Sequence, residues 1–129
     1  MSNVTELTKR QRNAIKYHAS GLQELAGILG VVITELPKIF QSHGKRVFKI
    51  GVHADLLERY PNADPDQLSI WFARWTGSTP YLYRIVNGEH RHDLDGNDVA
   101  MITDEDRKHS QARLDKRARR KAQRQQEAA

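Results

Sequence analysis

A chain of 129 residues has room for one domain with its own apolar core, and the lack of cysteine excludes disulfides and thiol catalysis. No apolar run approaches the roughly 20 residues that span a bilayer. The amino-terminal stretch also lacks the apolar segment of a signal peptide. We therefore expect a soluble, cytoplasmic protein without membrane contacts. The formal net charge is +5, and after residue 106 nine basic residues face two acidic ones. Such a segment favours an anionic polymer as partner, the alternative being a solvated helix face.

Charge and apolar content divide the chain into three segments. Residues 1–20 hold few apolar residues and are expected to form a mobile, basic extension. Residues 21–103 are expected to form the core domain, and residues 104–129 a basic helix or tail. Twelve basic and fourteen acidic residues lie in positions 1–106, so the basic excess belongs to the last segment.

Capping residues and apolar spacing predict two helices before Pro37. Thr8 with Gln11 three residues later is a capping box for a short helix from about Lys9. A second box that begins at Ser20 predicts a longer helix, which Pro37 ends. The core-facing stripe of that second helix comprises Leu22, Leu25, Leu29, Val32 and Leu36.

The central part of the chain is predicted to hold a hairpin and two helices. Residues 38–50, KIFQSHGKRVFKI, contain two strand-like runs around the turn at Gly44, which predicts a β-hairpin. Val52, Leu56 and Tyr60 follow at a spacing of four, which is typical of a helix. Asp64 and Pro65 then cap a helix whose apolar stripe we assign to the core: Leu68, Trp71, Phe72 and Trp75.

The stretch WTGSTPYLYRIV joins one helix to the next. Gly77 suits the left-handed residue that closes a helix, and Thr79 before Pro80 suits the cap and first position of another. This helix start has no acid in its first turn, so its backbone N–H groups from Tyr81 onward are predicted to form an anion site. The rings of Tyr81 and Tyr83 offer faces for an unstacked base. The alternative is a water-capped helix with one buried tyrosine.

The Asp-Gly pair between HRHDL and NDVAMI predicts a second β-hairpin. Its acids imitate a calcium loop, but the glycine stands fourth instead of sixth, so we predict no metal site. The sequence has no nucleophile elbow, glycine-rich phosphate loop or isolated carboxylate pair, and we expect neither catalysis nor a cofactor.

A final helix is predicted from Thr103, which three acids follow. Leu114 is its last sizeable apolar residue, so the helix should stand in solvent beyond about Arg117. Four arginines at spacings of four, three and four form one stripe, to which we assign phosphate contacts: Arg113, Arg117, Arg120 and Arg124.

Three stretches, FKIGVHADLLERY, YLYRIVNGEHRHDLDGN and TDEDRKHSQARLDKRARRK, resemble in this order the ProQ/FinO family of bacterial RNA chaperones. The resemblance covers about residues 21–120. It implies a compact FinO-like domain, mostly α with small β-hairpins and therefore α+β, with a basic C-terminal helix. It also implies binding of structured RNA, namely small RNAs and mRNA 3′ ends. The typical ligand is a terminator hairpin with a short single-stranded 3′ tail, whose end is held at a helix N-terminus.

The resemblance also assigns RNA contacts to individual residues. Lys49 matches the lysine of a Lys-Ile-Gly motif, Tyr81 the first tyrosine of Tyr-Leu-Tyr, and Arg91 the arginine ahead of Asp-Leu-Asp-Gly. The chain departs from the family in the helix PDQLSIWFARW, which keeps little basic character beyond Arg74. Together with the tail arginines, the expected RNA-binding residues are Lys49, Tyr81, Arg91, Ser78, Thr79, Tyr83, Arg74, Arg84, Lys45 and Arg46.

These observations predict a monomeric RNA-binding protein that acts as a small-RNA chaperone and post-transcriptional regulator. Two alternatives stay open. One is a protein-interaction module whose basic tail docks an acidic partner or a ribosomal surface. The other is a binder of double-stranded DNA.

Overall fold

The computed structural model describes residues 8–41 and 46–128. Within these ranges it confirms the expected α+β fold, which combines helices with a small three-stranded sheet. The helices are α1 (Lys9–Leu29), α2 (Lys38–Gln41), α3 (Val52–Arg59), α4 (Pro65–Thr76), α5 (Thr79–Asn87) and α6 (Asp104–Ala128). The strands are β1 (Val47–Phe48), β2 (His90–His92) and β3 (Asp98–Met101). Within the described ranges, no helix is both long and apolar enough to span a bilayer.

The amino-terminal helix is one continuous element where two were predicted. The capping box of Thr8 and Gln11 is confirmed, but α1 runs on through Ser20, so a helix start at Ser20 is wrong. The helix ends at Gly30, whose left-handed φ of 73° closes it well before Pro37. Of the predicted stripe, the three members within α1 are buried: Leu22, Leu25 and Leu29. Of the two members after the helix end, Leu36 is buried and Val32 is exposed. The division of the chain into three segments stays a prediction.

The first predicted hairpin is wrong. Its first half forms the helical turn α2, in which Ile39 and Phe40 are both buried. The amide of Phe40 donates to the carbonyl of Pro37 at 3.0 Å, and this bond closes a helical turn in place of a strand. The second half forms β1, which pairs in parallel with β2 across a long sequence separation. The turn at His43–Gly44 and Lys45 lie outside the described residues.

The helices α3 and α4 are confirmed. Asp64 accepts hydrogen bonds from the amides of Asp66 and Gln67, at 2.9 and 3.4 Å, and Pro65 occupies the first turn of α4. The four apolar residues of α4 are buried, as predicted. Trp71 stacks on Trp75 with ring centroids 4.9 Å apart, so both tryptophans belong to the core.

The start of α5 differs from the prediction by one residue. Ser78, not Thr79, is the capping residue, because its side chain accepts from the amide of Tyr81. Gly77 has a right-handed φ of −86°, so the left-handed closure predicted there is wrong. The reason lies in the next residue: the amide of Ser78 bonds back to the carbonyl of Trp75 at 3.2 Å, so the chain continues without reversing its hand.

The second hairpin and the last helix are confirmed. β2 and β3 pair antiparallel, and Gly96 adopts a φ of 85° in the turn between them. Thr103 caps α6 by accepting from the amide of Asp106. The helix packs against α5 and buries Ser110 and Leu114. The side chains from residue 118 through residue 128 are exposed to solvent. The basic stripe beyond Arg117 therefore faces solvent.

Candidate nucleic-acid interface

A cavity of about 380 Å³ lies between the β1–α3 junction, α5 and α6. We call it the end cavity. Its lining includes Lys49, Tyr81 and Arg91, of which Lys49 and Tyr81 are 32 residues apart and Tyr81 and Arg91 are 10 residues apart. Arg113 from the predicted tail stripe also lines it. These residues converge because β1 pairs with β2 while α5 and α6 pack beside the sheet.

Lys49 is an accessible cation of this cavity. It directly follows β1, where its amide donates to the carbonyl of His92 at 2.7 Å and fixes its backbone. Its Nζ lies 2.9 Å from a carboxylate oxygen of Asp55 on α3, and its side chain is 42% exposed. The hydrogen bond and charge of Asp55 raise the pKa of Lys49. The amine is therefore a fixed positive charge that a phosphate can reach.

Arg91 is held differently, because only 12% of its side chain is exposed. One terminal nitrogen donates to the carbonyl of Phe48 and the other to Asp106, both at 3.0 Å. The bond from Arg91 is the main reason that the pKa of Asp106 lies below its usual value. The buried Nε of Arg91 has no acceptor within the described residues. Arg91 thus joins β1, β2 and α6, and it retains one unsatisfied donor.

Tyr81 shapes the cavity from inside the core. The residue is only 3% exposed, and its ring lies 5.4 Å from that of Phe48. Its hydroxyl accepts from the backbone amide of Phe48 at 2.9 Å, and burial raises its pKa. The ring has no free face for a base, so the expected stacking on Tyr81 is not supported. Tyr83, by contrast, is 52% exposed and lies outside the lining of the end cavity.

Sequence reasoning missed two histidines of the end cavity, His53 and His109. His53 lies in the first turn of α3, two residues after the glycine of the Lys-Ile-Gly motif. His109 lies one helical turn before Arg113 on α6. The signal that could have found it is the helical spacing of the polar residues that line the cavity: Asp106, His109, Ser110 and Arg113.

The start of α5 offers fewer free donors than the sequence predicts. Because the cap is Ser78, the amide of Leu82 donates to the Ser78 carbonyl at 3.0 Å and is already inside the helix. The amide of Tyr81 faces the Ser78 hydroxyl at 3.4 Å. The absence of acids in this first turn is confirmed. Arg117 also reaches this helix start, where it donates to the Thr79 hydroxyl at 3.0 Å and to the Gly77 carbonyl.

Three further cations of the predicted set lie outside the end cavity. Arg46 donates to the carbonyl of Gly96 at 2.6 Å and ties β1 to the turn of the hairpin. Arg74 is paired with Glu24 on α1. Arg84 lines a second cavity beside the start of α5. Lys45 falls outside the described residues.

The predicted arginine stripe of α6 is divided between two environments. Arg113 lines the end cavity, and Arg117 is anchored on the start of α5. Arg120 and Arg124 are exposed beyond them and border a shallow groove on the outer part of the helix. Positive charge therefore continues from the end cavity along α6 into solvent.

Residues 22–128 match the model of the ProQ/FINO family. A protein named RNA chaperone ProQ from Shewanella piezotolerans is 35% identical over 97 residues, which are 72% of this chain and 46% of that protein. Proteins of the same name from two strains of Aliivibrio fischeri are 32% identical over 92 residues, or 68% of this chain and 44% of theirs. The chain therefore spans less than half the length of these curated relatives.

A solved structure shows the same fold. NMB1681 from Neisseria meningitidis MC58, described as a FinO-like RNA chaperone, superposes with a TM-score of 0.59 at 17% sequence identity. The superposition covers 96% of this chain and all of that one. At this identity the likeness extends to the fold alone.

Proposed function

Because the chain belongs to the ProQ/FINO family, we propose that it binds structured RNA as a small-RNA chaperone and post-transcriptional regulator. The observation that carries the proposal is the convergence of Lys49, Arg91 and Arg113 in one cavity. Cations gathered in a concave site attract a phosphate backbone. The names of the relatives, RNA chaperone ProQ and FinO-like RNA chaperone, support the same assignment.

The size of the end cavity favours an RNA end over a duplex. About 380 Å³ is at the lower limit of ligand pockets, which measure roughly 300–1,000 Å³, and an A-form helix is far wider. In this proposal the single-stranded 3′ tail of a terminator-type hairpin enters the cavity. Lys49 and Arg113 contact its phosphates, while Tyr81 and Arg91 hold the cavity walls in place.

The hairpin stem would then lie along α6. Arg117, Arg120 and Arg124 continue the line of positive charge that begins at Arg113. Contacts of this kind read the phosphate backbone and the A-form shape with little base recognition. The proposal therefore expects broad selection of hairpins that have a free 3′ tail.

Filter binding with three forms of one hairpin tests the proposal. The hairpin with a free 3′ tail should bind most tightly, since a hairpin without a tail cannot enter the cavity. A 3′ phosphate should weaken binding because it adds bulk to the RNA end inside a cavity of only about 380 Å³. Equal affinity for all three RNAs would contradict the proposal.

Variants and competitors complete the design. Lys49→Gln should abolish the preference for a tail, whereas Lys38→Gln, at an exposed position on α2 outside the cavity lining, should leave it intact. Duplex DNA of equal length should compete poorly with hairpin RNA. Effective competition by duplex DNA would favour the DNA alternative, and equally effective competition by polyglutamate would favour an acidic protein partner.

A further inference from the structure

A second cavity, of about 540 Å³, lies between the first half of α1, the α4–α5 junction and α6. We call it the ring cavity, because its lining is mostly apolar and carries several flat side chains. The residues that matter for its chemistry are Tyr17, His18, Trp75, Pro80, Arg84 and Arg117. None of them belongs to the end cavity.

One aromatic ring of the ring cavity is packed in the core, and another is open to solvent. Trp75 is only 6% exposed and is held between Trp71, at 4.9 Å, and His18, at 5.2 Å between ring centroids. Tyr17, in contrast, is 56% exposed, and Pro80 is exposed beside the start of α5. A flat apolar ligand that lies against Tyr17 would remove its ring from water without disturbing the core.

Charge at the ring cavity favours an anionic ligand. Arg84 and Arg117 line it, and none of the described residues in its lining is acidic. Aromatic and apolar surface next to arginine is the combination that binds unpaired nucleotides, in which the base stacks and the backbone is neutralised. A peptide ligand would have to be acidic as well as apolar to match the same lining.

The ring cavity also adjoins the proposed path of the RNA. Arg113 lines the end cavity and Arg117 lines the ring cavity, one turn or about 6 Å apart along α6. Arg117 bonds Gly77 and Thr79 at the start of α5, which separates the two cavities. A strand that leaves the end cavity along α6 therefore passes Arg117 and reaches the ring cavity next.

We propose that the ring cavity binds an unpaired base of the bound RNA, which lies against Tyr17 while Arg84 and Arg117 contact the adjacent phosphates. This proposal rests on the proposed RNA-binding function. It adds a second contact point, so the affinity of the protein would depend on whether the single-stranded RNA is long enough to reach it.

The test measures the affinity of the full chain for single-stranded RNAs of increasing length, each with a free 3′ hydroxyl. For the unaltered protein we expect a step of about tenfold when the strand becomes long enough to reach the ring cavity. Tyr17→Ala should remove the step, and Tyr17→Phe should keep it because the ring remains. Ile70→Ala is the matched control, since Ile70 is similarly exposed, at 58%, and lines neither cavity.

An abasic nucleotide at the length of the step should reproduce the loss in the unaltered protein. If Tyr17→Ala shows the same step in affinity as the unaltered protein, the ring cavity does not bind an RNA base and the proposal is overturned. A protein partner would then be the remaining candidate for this cavity. In that case short RNAs that still depend on Lys49 would leave the proposed function standing. Absence of binding at every length would overturn both.

Discussion

Replacing Arg91 by alanine should lower the free energy of unfolding of the protein and also weaken RNA binding. The guanidinium makes two hydrogen bonds of 3.0 Å, one to the carbonyl of Phe48 and one to the carboxylate of Asp106. Alanine would leave both acceptors without this donor at a site where only 12% of the arginine side chain is exposed. The variant therefore acts on the joint between β1, β2 and α6, which forms one wall of the end cavity.

The magnitude follows from burial. A hydrogen bond to a charged group contributes about 1.5–3 kcal/mol, and loss of one partner of a buried ion pair costs about 3–5 kcal/mol. The Asp106 side chain is 31% exposed, so water partly replaces the lost arginine and the cost falls to about 2–3 kcal/mol. For a chain of this size about 4 °C corresponds to 1 kcal/mol, which gives a melting temperature lower by about 8–12 °C.

Thermal unfolding followed by circular dichroism measures this effect, with Lys49→Ala as the comparison. Lys49 pairs with Asp55 in an exposed position, so Lys49→Ala should weaken RNA binding at an unchanged melting temperature. An unchanged melting temperature in Arg91→Ala would refute the structural role. It would instead support the simpler view, suggested by sequence, that Arg91 is a surface contact to phosphate.

The pH dependence gives a second readout of the same pair. Arg91 lowers the pKa of Asp106 in the folded state below its ordinary value of 3.8. The pair therefore stabilises the fold above that value, and its contribution is lost as the pH falls through the lower, folded-state pKa. Asp106→Asn should be less stable than the unaltered protein at neutral pH. That difference should shrink in acid, and a constant difference would show that the charge of Asp106 is not involved.

Two further predictions concern α1 and α6. Gly21→Ala should lower the melting temperature, at a cost of about 1–3 kcal/mol, because the added Cβ would lie 2.7 Å from the buried ring of Trp75. Gly27→Ala on the same helix meets no atom within 4 Å and should stabilise by up to about 1 kcal/mol, so equal effects of the two changes would contradict this packing. Truncation after Ala118 removes four basic residues but keeps Arg117 on α5. Filter binding across salt concentrations should show that the truncated protein binds RNA more weakly. The slope of log affinity against log salt concentration should fall by at most about 0.7–0.9 for each phosphate that the shortened helix no longer neutralises. An unchanged slope would show that the end of the helix only contacts solvent.

Structural features that depend on residues close together in the chain could be predicted from the sequence. The caps at Thr8, Asp64 and Thr103 and the apolar stripe of α4 depend on residues within one or two turns. The break predicted at Ser20 failed because a capping pattern also occurs inside helices. There, α1 continues because Gly21 allows close contact with α4, where Trp71 donates to the Gly21 carbonyl at 2.8 Å. That contact joins residues 50 positions apart and leaves no local signal.

The candidate site shows the same division. Resemblance to known motifs selected Lys49, Tyr81 and Arg91, and the structure does place them around one cavity. Their different roles depend on partners distant in sequence. The hydroxyl of Tyr81 is engaged by the amide of Phe48, 33 residues away, and Arg91 is engaged by groups on β1 and α6. Burial of this kind follows from the parallel pairing of a two-residue strand, which is too short to leave a pattern in the sequence.

The cations of the proposed interface fall into two electrostatic groups, and this division separates selectivity from affinity. Lys49 and Arg91 are each paired with a carboxylate, so a phosphate that approaches them competes with a charge already in place. Arg120 and Arg124, beyond the end cavity, have no ion pair within the described ranges, so they add their full charge to the field along α6. Salt should therefore weaken mainly the contacts of α6, which any RNA backbone can make. The preference for a free 3′ tail should survive at salt concentrations that reduce overall affinity, because it depends on the shape and fixed partners of the end cavity.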